Sequence, residues 1–319
     1  MKTKRHQQVT PEIEIYLREL AGKFGLEELY ETVKTRYTYS DGVRISMEVF
    51  KKDVHAPTIV LIPGATMYAL CYGSLIKQMF DRGYNVVAFD PRGHGKSGGE
   101  RGDYTFSELI RDTQSVVTWA IDNLNDRISL LGSDQGAIVA LYTAASDDRV
   151  KSIICKNIAD LNDRVFRKLK VFNSKRRILQ PVVLGLSGLF PNMKLPIYSY
   201  LNFKNVELKG LGPIREFMEK DPLVLRSLKV KTLTSILNYK PARGLDQFKT
   251  PVFVMQAEKD NIFPIEYTQS IFDKLSCKKR MEILPGLSHT MLTEQPEKVA
   301  PLIAEWLEEI HGSAQEAVN

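Results

Sequence analysis

Asp134 stands in the stretch Leu130-Leu131-Gly132-Ser133-Asp134-Gln135-Gly136-Ala137, in the setting of a nucleophile. The run Ile128-Ser129-Leu130 before it reads as a strand. Ile138-Val139-Ala140-Leu141-Tyr142 after it has helical spacing. A central residue with small residues two places to either side, between strand and helix, is the pattern of a nucleophile elbow. The flanking glycines permit a turn tight enough to lift the central side chain above the sheet. The usual centre is Ser; here it is Asp. Taking Ser133 as the centre would put Leu131 and Gln135 at the small positions, where their side chains would crowd the turn.

Strand and helix patterns alternate around this turn. Val9 to Leu29 has roughly helical apolar spacing, a helical lead-in. Arg36–Tyr39 and Val43–Phe50 alternate and are separated by Ser40-Asp41-Gly42, which reads as an antiparallel hairpin. Thr58–Ile62, Asn85–Phe89, Lys151–Asn157, Pro251–Gln256 and Arg280–Leu284 read as further strands, with helices between them. A continuous apolar run such as Thr58–Ile62 suits a strand buried on both faces. The alternation stops from Asp160 to Lys249. The fold class is therefore α/β, a mostly parallel central sheet with helices on both faces. The interruption reads as a helical cap over the carboxyl edge of the sheet, where such folds bind ligands. The expected division is a lead-in over 1–35, a core over 36–159 and 250–312, a cap over 160–249 and a tail over 313–319.

Composition narrows the class. In 319 residues, apolar content of 43% and charged content of 26% are ordinary for a soluble globular protein. Cys71, Cys155 and Cys277 are too far apart for a metal motif or disulfide framework, which fits a reducing, cytoplasmic setting. No run of about 18 apolar residues suggests a membrane span. The net charge of +6 is uneven: Asp160–Thr250 holds 18 Lys and Arg against 7 Asp and Glu.

Further motifs carry a resemblance. Asp90-x-x-Gly93-His94-Gly95-x-Ser97 resembles the D-x-x-G-H-G-x-S turn of the α/β-hydrolase fold. Gly98-Gly99-Glu100-Arg101-Gly102 resembles its lysophospholipase, monoacylglycerol-lipase and serine-aminopeptidase-like subgroup. Asp260-Asn261-Ile262-Phe263-Pro264 resembles the acid loop of that fold, and Gly286-Leu287-Ser288-His289 its histidine loop. The likeness spans roughly residues 36–310 and implies an α/β-hydrolase fold. Of five histidines, His6 lies in the lead-in, His55 before the first core strand and His311 in the tail. His94 sits in a turn whose histidine is structural in the family. His289 remains, in the order Asp134…Asp260…His289. As triad acid Asp260 is preferred to Glu258, and Asp160 is the alternative. The resemblance also implies an oxyanion hole from the backbone N–H groups of Ala65 and Gln135.

An Asp at the elbow changes the chemistry. A carboxyl group with the ordinary pKa of about 4 is ionised at neutral pH and needs no base to become a nucleophile. Attack on an ester carbonyl would give an anhydride, an uphill intermediate. Attack on an sp³ carbon bearing a leaving group gives an alkyl ester, which His289 can hydrolyse by activating water. This scheme resembles those of epoxide hydrolases and haloalkane dehalogenases. Departing halide needs N–H donors, but Gln135 stands where that family carries Trp, and Trp119 and Trp306 fall in helices. Epoxide opening needs an acid, for which the cap offers Tyr198, Tyr200 and Tyr239. Two alternatives stay open. One is a carboxyl-ester or lysophospholipid-type hydrolase using His-Asp-activated water. The other is a non-catalytic binding protein.

The expected partner is a small apolar or amphiphilic molecule, with no cofactor and no metal. Arg164, Arg167, Lys168, Lys170, Lys175, Arg176 and Arg177 precede the apolar segment Ile178–Pro191. Such flanks suit an anionic head group or transient contact with an anionic membrane surface. They equally suit a cap helix packed on the body with a charged rim. No nucleic-acid motif accompanies the charge, and the oligomeric state is not legible.

Overall fold

The structure, a computed structural model, describes residues 10–163, 165, 166, 185, 187–199, 206–208 and 211–312. In chain order the strands are β1 (Lys34–Ser40), β2 (Val43–Phe50), β3 (Thr58–Ile62), β4 (Asn85–Asp90), β5 (Ile128–Ser133) and β6 (Ser152–Lys156). Then come β7 (Lys194–Pro196), β8 (Glu207–Leu208), β9 (Gly212–Pro213), β10 (Ser227–Lys229), β11 (Val252–Lys259) and β12 (Lys279–Ser288). The α-helices include α1 (Pro11–Lys23), α2 (Glu27–Thr32), α3 (Gly73–Asp81), α4 (Phe106–Asn123) and α5 (Gln135–Ala144). They continue as α6 (Ile214–Lys220), α7 (Val230–Leu237), α8 (Ile265–Asp273), α9 (Met291–Glu294) and α10 (Pro296–His311).

Eight strands form one sheet in the order β1-β2-β4-β3-β5-β6-β11-β12. β1 and β2 enter as an antiparallel hairpin, and β2 lies antiparallel to β4. From β4 to β12 every pair is parallel. This is the α/β-hydrolase arrangement that the motifs implied. β3, β4, β5 and β6 are buried along their whole length. Sandwiched between helices, they satisfy their backbone polar groups in the ladder and leave apolar side chains on both faces. α4 begins with a reciprocal capping box, in which the Thr105 hydroxyl accepts from Glu108 N–H and the Glu108 carboxylate accepts from Thr105 N–H.

The described part of the insertion departs from the helical expectation. It carries α6 and α7, and also two short antiparallel pairs, β7 with β10 and β8 with β9. Pro196 and Pro213 sit in these strands; each lacks an N–H and biases its predecessor toward extended backbone, which opposes a continuous helix. The apolar residues 178–184 and the basic residues Arg164, Arg167, Lys168, Lys170, Lys175, Arg176 and Arg177 lie outside the described residues.

The insertion is pinned to the core by polar contacts. Gly102 O accepts from Lys229 N at 2.8 Å and from Thr232 Oγ1 at 3.0 Å. A side chain at Gly102 would collide with the Ser227 carbonyl, so this glycine lets β10 lie directly on the Gly98–Gly102 segment. Buried Asp221 accepts from Tyr68 Oη at 2.8 Å and from Tyr16 Oη at 2.7 Å. The lead-in helix, the core and the insertion thus meet at one carboxylate.

Candidate active site

The elbow forms between β5 and α5. Asp134 has φ 53° and ψ −112°, a conformation costly for a residue with a side chain. The turn closes because Gly132 and Gly136 have no Cβ. One on Gly132 would strike the Gly136 carbonyl, and one on Gly136 would strike those of Ile62 and Pro63. Asp134 N–H donates to the carbonyl of Lys156 on the neighbouring strand at 3.2 Å. Asp134 is the residue that precedes α5, where the helix dipole favours negative charge, and its side chain makes no capping hydrogen bond.

His289 follows β12, and Asp260 follows β11. Nδ1 of His289 lies 3.0 Å from both carboxylate oxygens of Asp260, and Nε2 lies 3.3 Å from Asp134 Oδ1. Asp260 Oδ1 also accepts from the N–H groups of Ile262 at 2.8 Å and Phe263 at 2.9 Å. Burial, the largest single influence, pushes the Asp260 carboxyl up. The charges of Lys156 and His289 and the hydrogen bonds from His289 and Phe263 outweigh it, and the group is held well below the usual carboxylate range. The other acids considered sit elsewhere. Glu258 accepts from Gly286 N–H at 2.8 Å, and Asp160 from Tyr142 Oη at 2.9 Å.

A fourth ionisable group completes this centre. Lys156, the last residue of β6, is fully buried. Its Nζ lies 2.8 Å from Asp134 Oδ1, 2.8 Å from His289 Nδ1 and 3.4 Å from Asp260 Oδ2. Sequence reading passed over it as part of a strand. The signal was a lysine closing the run Ser152-Ile153-Ile154-Cys155, because a lysine in a strand buried on both faces must find charged partners.

The carboxylate of Asp134 faces a cavity of about 180 Å³ under the insertion. Phe106 and Ile138 line it from the core, and Ile197, Leu208, Ile214 and Leu233 from the insertion. Ala65 and Gln135 are also on its wall. Gln135 opens α5, so its N–H has no acceptor within the helix. His94 braces the other side, with Nε2 3.1 Å from the Ala65 carbonyl and Nδ1 3.0 Å from that of Arg92. Burial pushes the His94 imidazole down, in keeping with a neutral structural ring.

The cap tyrosines do not meet the expectation placed on them. Tyr198 donates to the Arg215 carbonyl at 3.3 Å, and Tyr239 packs against Phe106 and Tyr142; neither is on the cavity wall. The connection after β7 turns Tyr198 toward α6, and α7 presents Leu233, Ile236 and Leu237 to the cavity instead. Tyr200 lies outside the described residues. Among the described residues the tyrosine on the wall is Tyr72, whose hydroxyl accepts from Gly64 N–H at 3.0 Å. Burial raises its phenol well above the usual value, so it stays protonated at neutral pH. Neither Trp119 nor Trp306 reaches the cavity.

Among the described lining residues no Lys or Arg faces the cavity. Among the described residues there is no group of three or more His, Cys, Asp or Glu suited to a metal ion. Nor is any helix there long and apolar enough to cross a membrane.

The family model described as serine aminopeptidase, S33, matches residues 54–296. An uncharacterized Escherichia coli protein from the traX-finO intergenic region is 25% identical over 265 residues, 76% of this chain and 86% of that one. A monoacylglycerol lipase of Mycolicibacterium smegmatis is 24% identical over 270 residues, 81% of this chain and 90% of its own. Among solved structures, a monoacylglycerol lipase of Paleococcus ferrophilus superposes with a TM-score of 0.68 at 22% identity, covering 84% of this chain and 99% of that one. At that identity the superposition speaks for the fold alone.

Proposed function

The chain belongs to the serine aminopeptidase S33 family, among α/β-hydrolases of the lipase and esterase kind, and on that footing we propose that it hydrolyses a small apolar molecule through a covalent ester on Asp134. The carrying observation is the position of the Asp134 carboxylate. It sits at a strained elbow on the floor of an apolar cavity, with His289 Nε2 3.3 Å away and Asp260 on the opposite nitrogen.

The substrate class follows from the nucleophile. An oxygen of Asp134 attacks a carbon of a strained ring ether, the C–O bond of the ring breaks, and the freed oxygen takes a proton from solvent. Water then gives a proton to His289 and attacks the carboxyl carbon of the ester. The N–H groups of Ala65 and Gln135 are the donors proposed for the negative oxygen that develops there. Collapse expels the alcohol, which takes the proton held by His289, and the second proton of the water leaves the Asp134 carboxyl for solvent, restoring the carboxylate. The sum is epoxide plus water to diol. The size and apolar lining of the cavity favour a compact apolar epoxide.

A second reading draws on the lipase relatives and on Lys156. An ammonium on Oδ1 lowers the nucleophilicity of the carboxylate, and His289 would then direct water onto a carboxyl ester with Asp134 as an electrostatic partner. Intact-protein mass spectrometry after rapid quench separates the two. With 1,2-epoxyhexane as probe, an alkyl adduct on Asp134 supports the first reading. Turnover of a monoacylglycerol with no adduct at any time supports the second.

A further inference from the structure

The backbone around Ala65 is held at four points. Gly64 N–H donates to Tyr72 Oη at 3.0 Å, and Gly64 O accepts from Met67 N–H at 3.1 Å. His94 Nε2 lies 3.1 Å from Ala65 O, and Thr66 O accepts from Leu225 N–H at 2.9 Å. Ala65 N–H has no acceptor among the described residues and is left for the oxygen of a ligand. Three of the four holds come from the core. The fourth comes from the insertion, where Leu225 lies between α6 and β10. What shapes the chain there is Asp221. Pro222 biases it to extended backbone, and it adopts φ −68° and ψ 126°. Its Oδ1 then accepts from the N–H groups of Leu223 at 2.6 Å and Val224 at 2.8 Å, closing a turn that delivers Leu225 to Thr66. Its Oδ2 accepts from Tyr68, two residues beyond Thr66, and from Tyr16 of α1. Asp221, Leu223, Val224 and Leu225 are all buried.

We infer that Asp221 is a positioning residue for the proposed oxyanion donor: it shapes the turn whose Leu225 N–H fixes the Thr66 carbonyl and thereby aims the N–H of Ala65. Tyr16 makes the lead-in helix part of this device, although it lies outside residues 54–296 that the family model matches. Thr66 and Ala65 are on the cavity wall and Asp221 is not, so Asp221 acts through the backbone and not on substrate.

The kinetic consequence rests on the ester proposed above. A donor aimed at the Asp134 carboxyl group is needed when negative charge develops on its oxygen, which happens as water attacks the ester. It is not needed when Asp134 attacks the ring carbon. A loosened Ala65 N–H therefore slows decay of the adduct and spares its formation. Asp221→Ala removes the acceptor of all four donors. Asp221→Asn keeps an oxygen for Leu223 and Val224, and its NH₂ group can donate to the hydroxyl oxygens of Tyr16 and Tyr68, which are acceptors as well as donors. The amide thus rescues the turn without the charge.

The test has two readouts on the full chain. The first is amide hydrogen exchange by mass spectrometry, without substrate. The peptide holding Gly64 and Met67 is expected to exchange faster in Asp221→Ala and at the unmodified rate in Asp221→Asn, with the peptide holding Asp260 unchanged in both. An unchanged Gly64–Met67 peptide in Asp221→Ala overturns the inference. The second is rapid-quench mass spectrometry with 1,2-epoxyhexane. In Asp221→Ala the adduct on Asp134 is expected to form at the unmodified rate and decay about tenfold more slowly, less than the ~10²-fold cost of deleting such a donor outright. In Asp221→Asn decay is expected to recover. Formation and decay falling together in Asp221→Ala overturn the inference, as does decay at the unmodified rate or an Asn variant as slow as the Ala one. If Asp221→Ala does not fold, Tyr16→Phe, which leaves Asp221 three of its donors, decides: decay about threefold slower with formation unchanged supports the inference, and unchanged decay overturns it. The exchange results stand apart from the ester. No adduct in any of these proteins, with the expected exchange pattern, would remove the covalent proposal and leave the role of Asp221 in place.

Discussion

Lys156 Nζ lies 2.8 Å from Asp134 Oδ1, and the two residues are also joined through the backbone, Asp134 N–H donating to the Lys156 carbonyl at 3.2 Å. Adjacent parallel strands therefore deliver the central carboxylate and its cation together. Any change to one strand end is felt by the other.

Removing the cation leaves the fully buried Asp260 carboxylate and the Asp134 carboxylate at the cavity without the ammonium between them. Lys156→Met is expected to destabilise the fold by about 3–5 kcal/mol, the cost of breaking a buried pair by deleting one partner. Asp134→Asn combined with Lys156→Met is expected to recover part of that loss, because one stranded charge is gone. Chemical denaturation of both variants measures this. Equal destabilisation in the two would mean that the Asp134 carboxylate is not what makes the lysine indispensable.

The elbow itself can be tested through its glycines. Gly136→Ala places a methyl group against the Ile62 and Pro63 carbonyls, backbone at the end of β3 that cannot give way cheaply. A loss of roughly 2–4 kcal/mol or outright failure to fold is expected, within the range for overpacking and strain combined. Gly185→Ala, where an added methyl group meets no atom within 4 Å among the described residues, is the control and should unfold like the unmodified protein.

Much of this was legible in the sequence, and the limits have physical causes. The elbow was readable because a tight strand-to-helix turn requires small residues at fixed offsets. The sheet was readable because strands buried on both faces are continuously apolar. Asp260 and His289 followed from their places after late strands, and the structure brings both within hydrogen-bond reach of each other. Lys156 was missed because lysine on a strand ordinarily reads as solvated; only the pairing of β6 between β5 and β11 makes its burial evident. Tyr198 and Tyr239 were misplaced because which side of a cap element faces the cavity depends on packing that local spacing does not encode. The strand pairs β7–β10 and β8–β9 were missed for a related reason. They are two or three residues long and are held by contacts distant in sequence.

His311 supplies a pH dependence remote from the cavity. Its ring is largely buried at the end of α10, with Nε2 2.8 Å from Ser129 Oγ. Burial, and then the nearby charges of Arg127 and Lys151, push its pKa down to about 4. The unfolded chain protonates near pH ~6.5, so between that pH and about 4 the unfolded state binds the extra proton. Stability from this group is complete above ~6.5 and falls as the pH is lowered toward about 4. His311→Gln is expected to flatten the stability profile over that interval, as measured by urea titrations at successive pH values. An unchanged slope would place the titrating group elsewhere.

Restoring the common nucleophile probes how the two positions depend on each other. Asp134→Ser alone leaves Lys156 without one of its carboxylates, its ammonium still against the His289 ring. Asp134→Ser with Lys156→Met removes the ammonium beside the imidazole, a charge that opposes proton uptake by His289, and should make a working serine esterase. The double variant is expected to hydrolyse p-nitrophenyl butyrate about tenfold faster than the single one, the equivalent of ~1.4 kcal/mol in barrier. A faster single variant would mean that the lysine helps, and does not hinder, the histidine.

Asp134→Asn should lower turnover of a compact epoxide by at least ~10³-fold, as expected for loss of a nucleophile. The most direct measurement is isotopic. One turnover is run with enzyme in excess over 1,2-epoxyhexane in heavy-oxygen water, and the peptide containing Asp134 is then weighed. An ester on Asp134 that is cleaved by water at the carboxyl carbon must leave one heavy oxygen in the Asp134 side chain, and the first diol formed must carry none. Heavy oxygen found in the diol, with the Asp134 peptide unchanged, would mean that water attacks the substrate directly, and the covalent mechanism would be wrong.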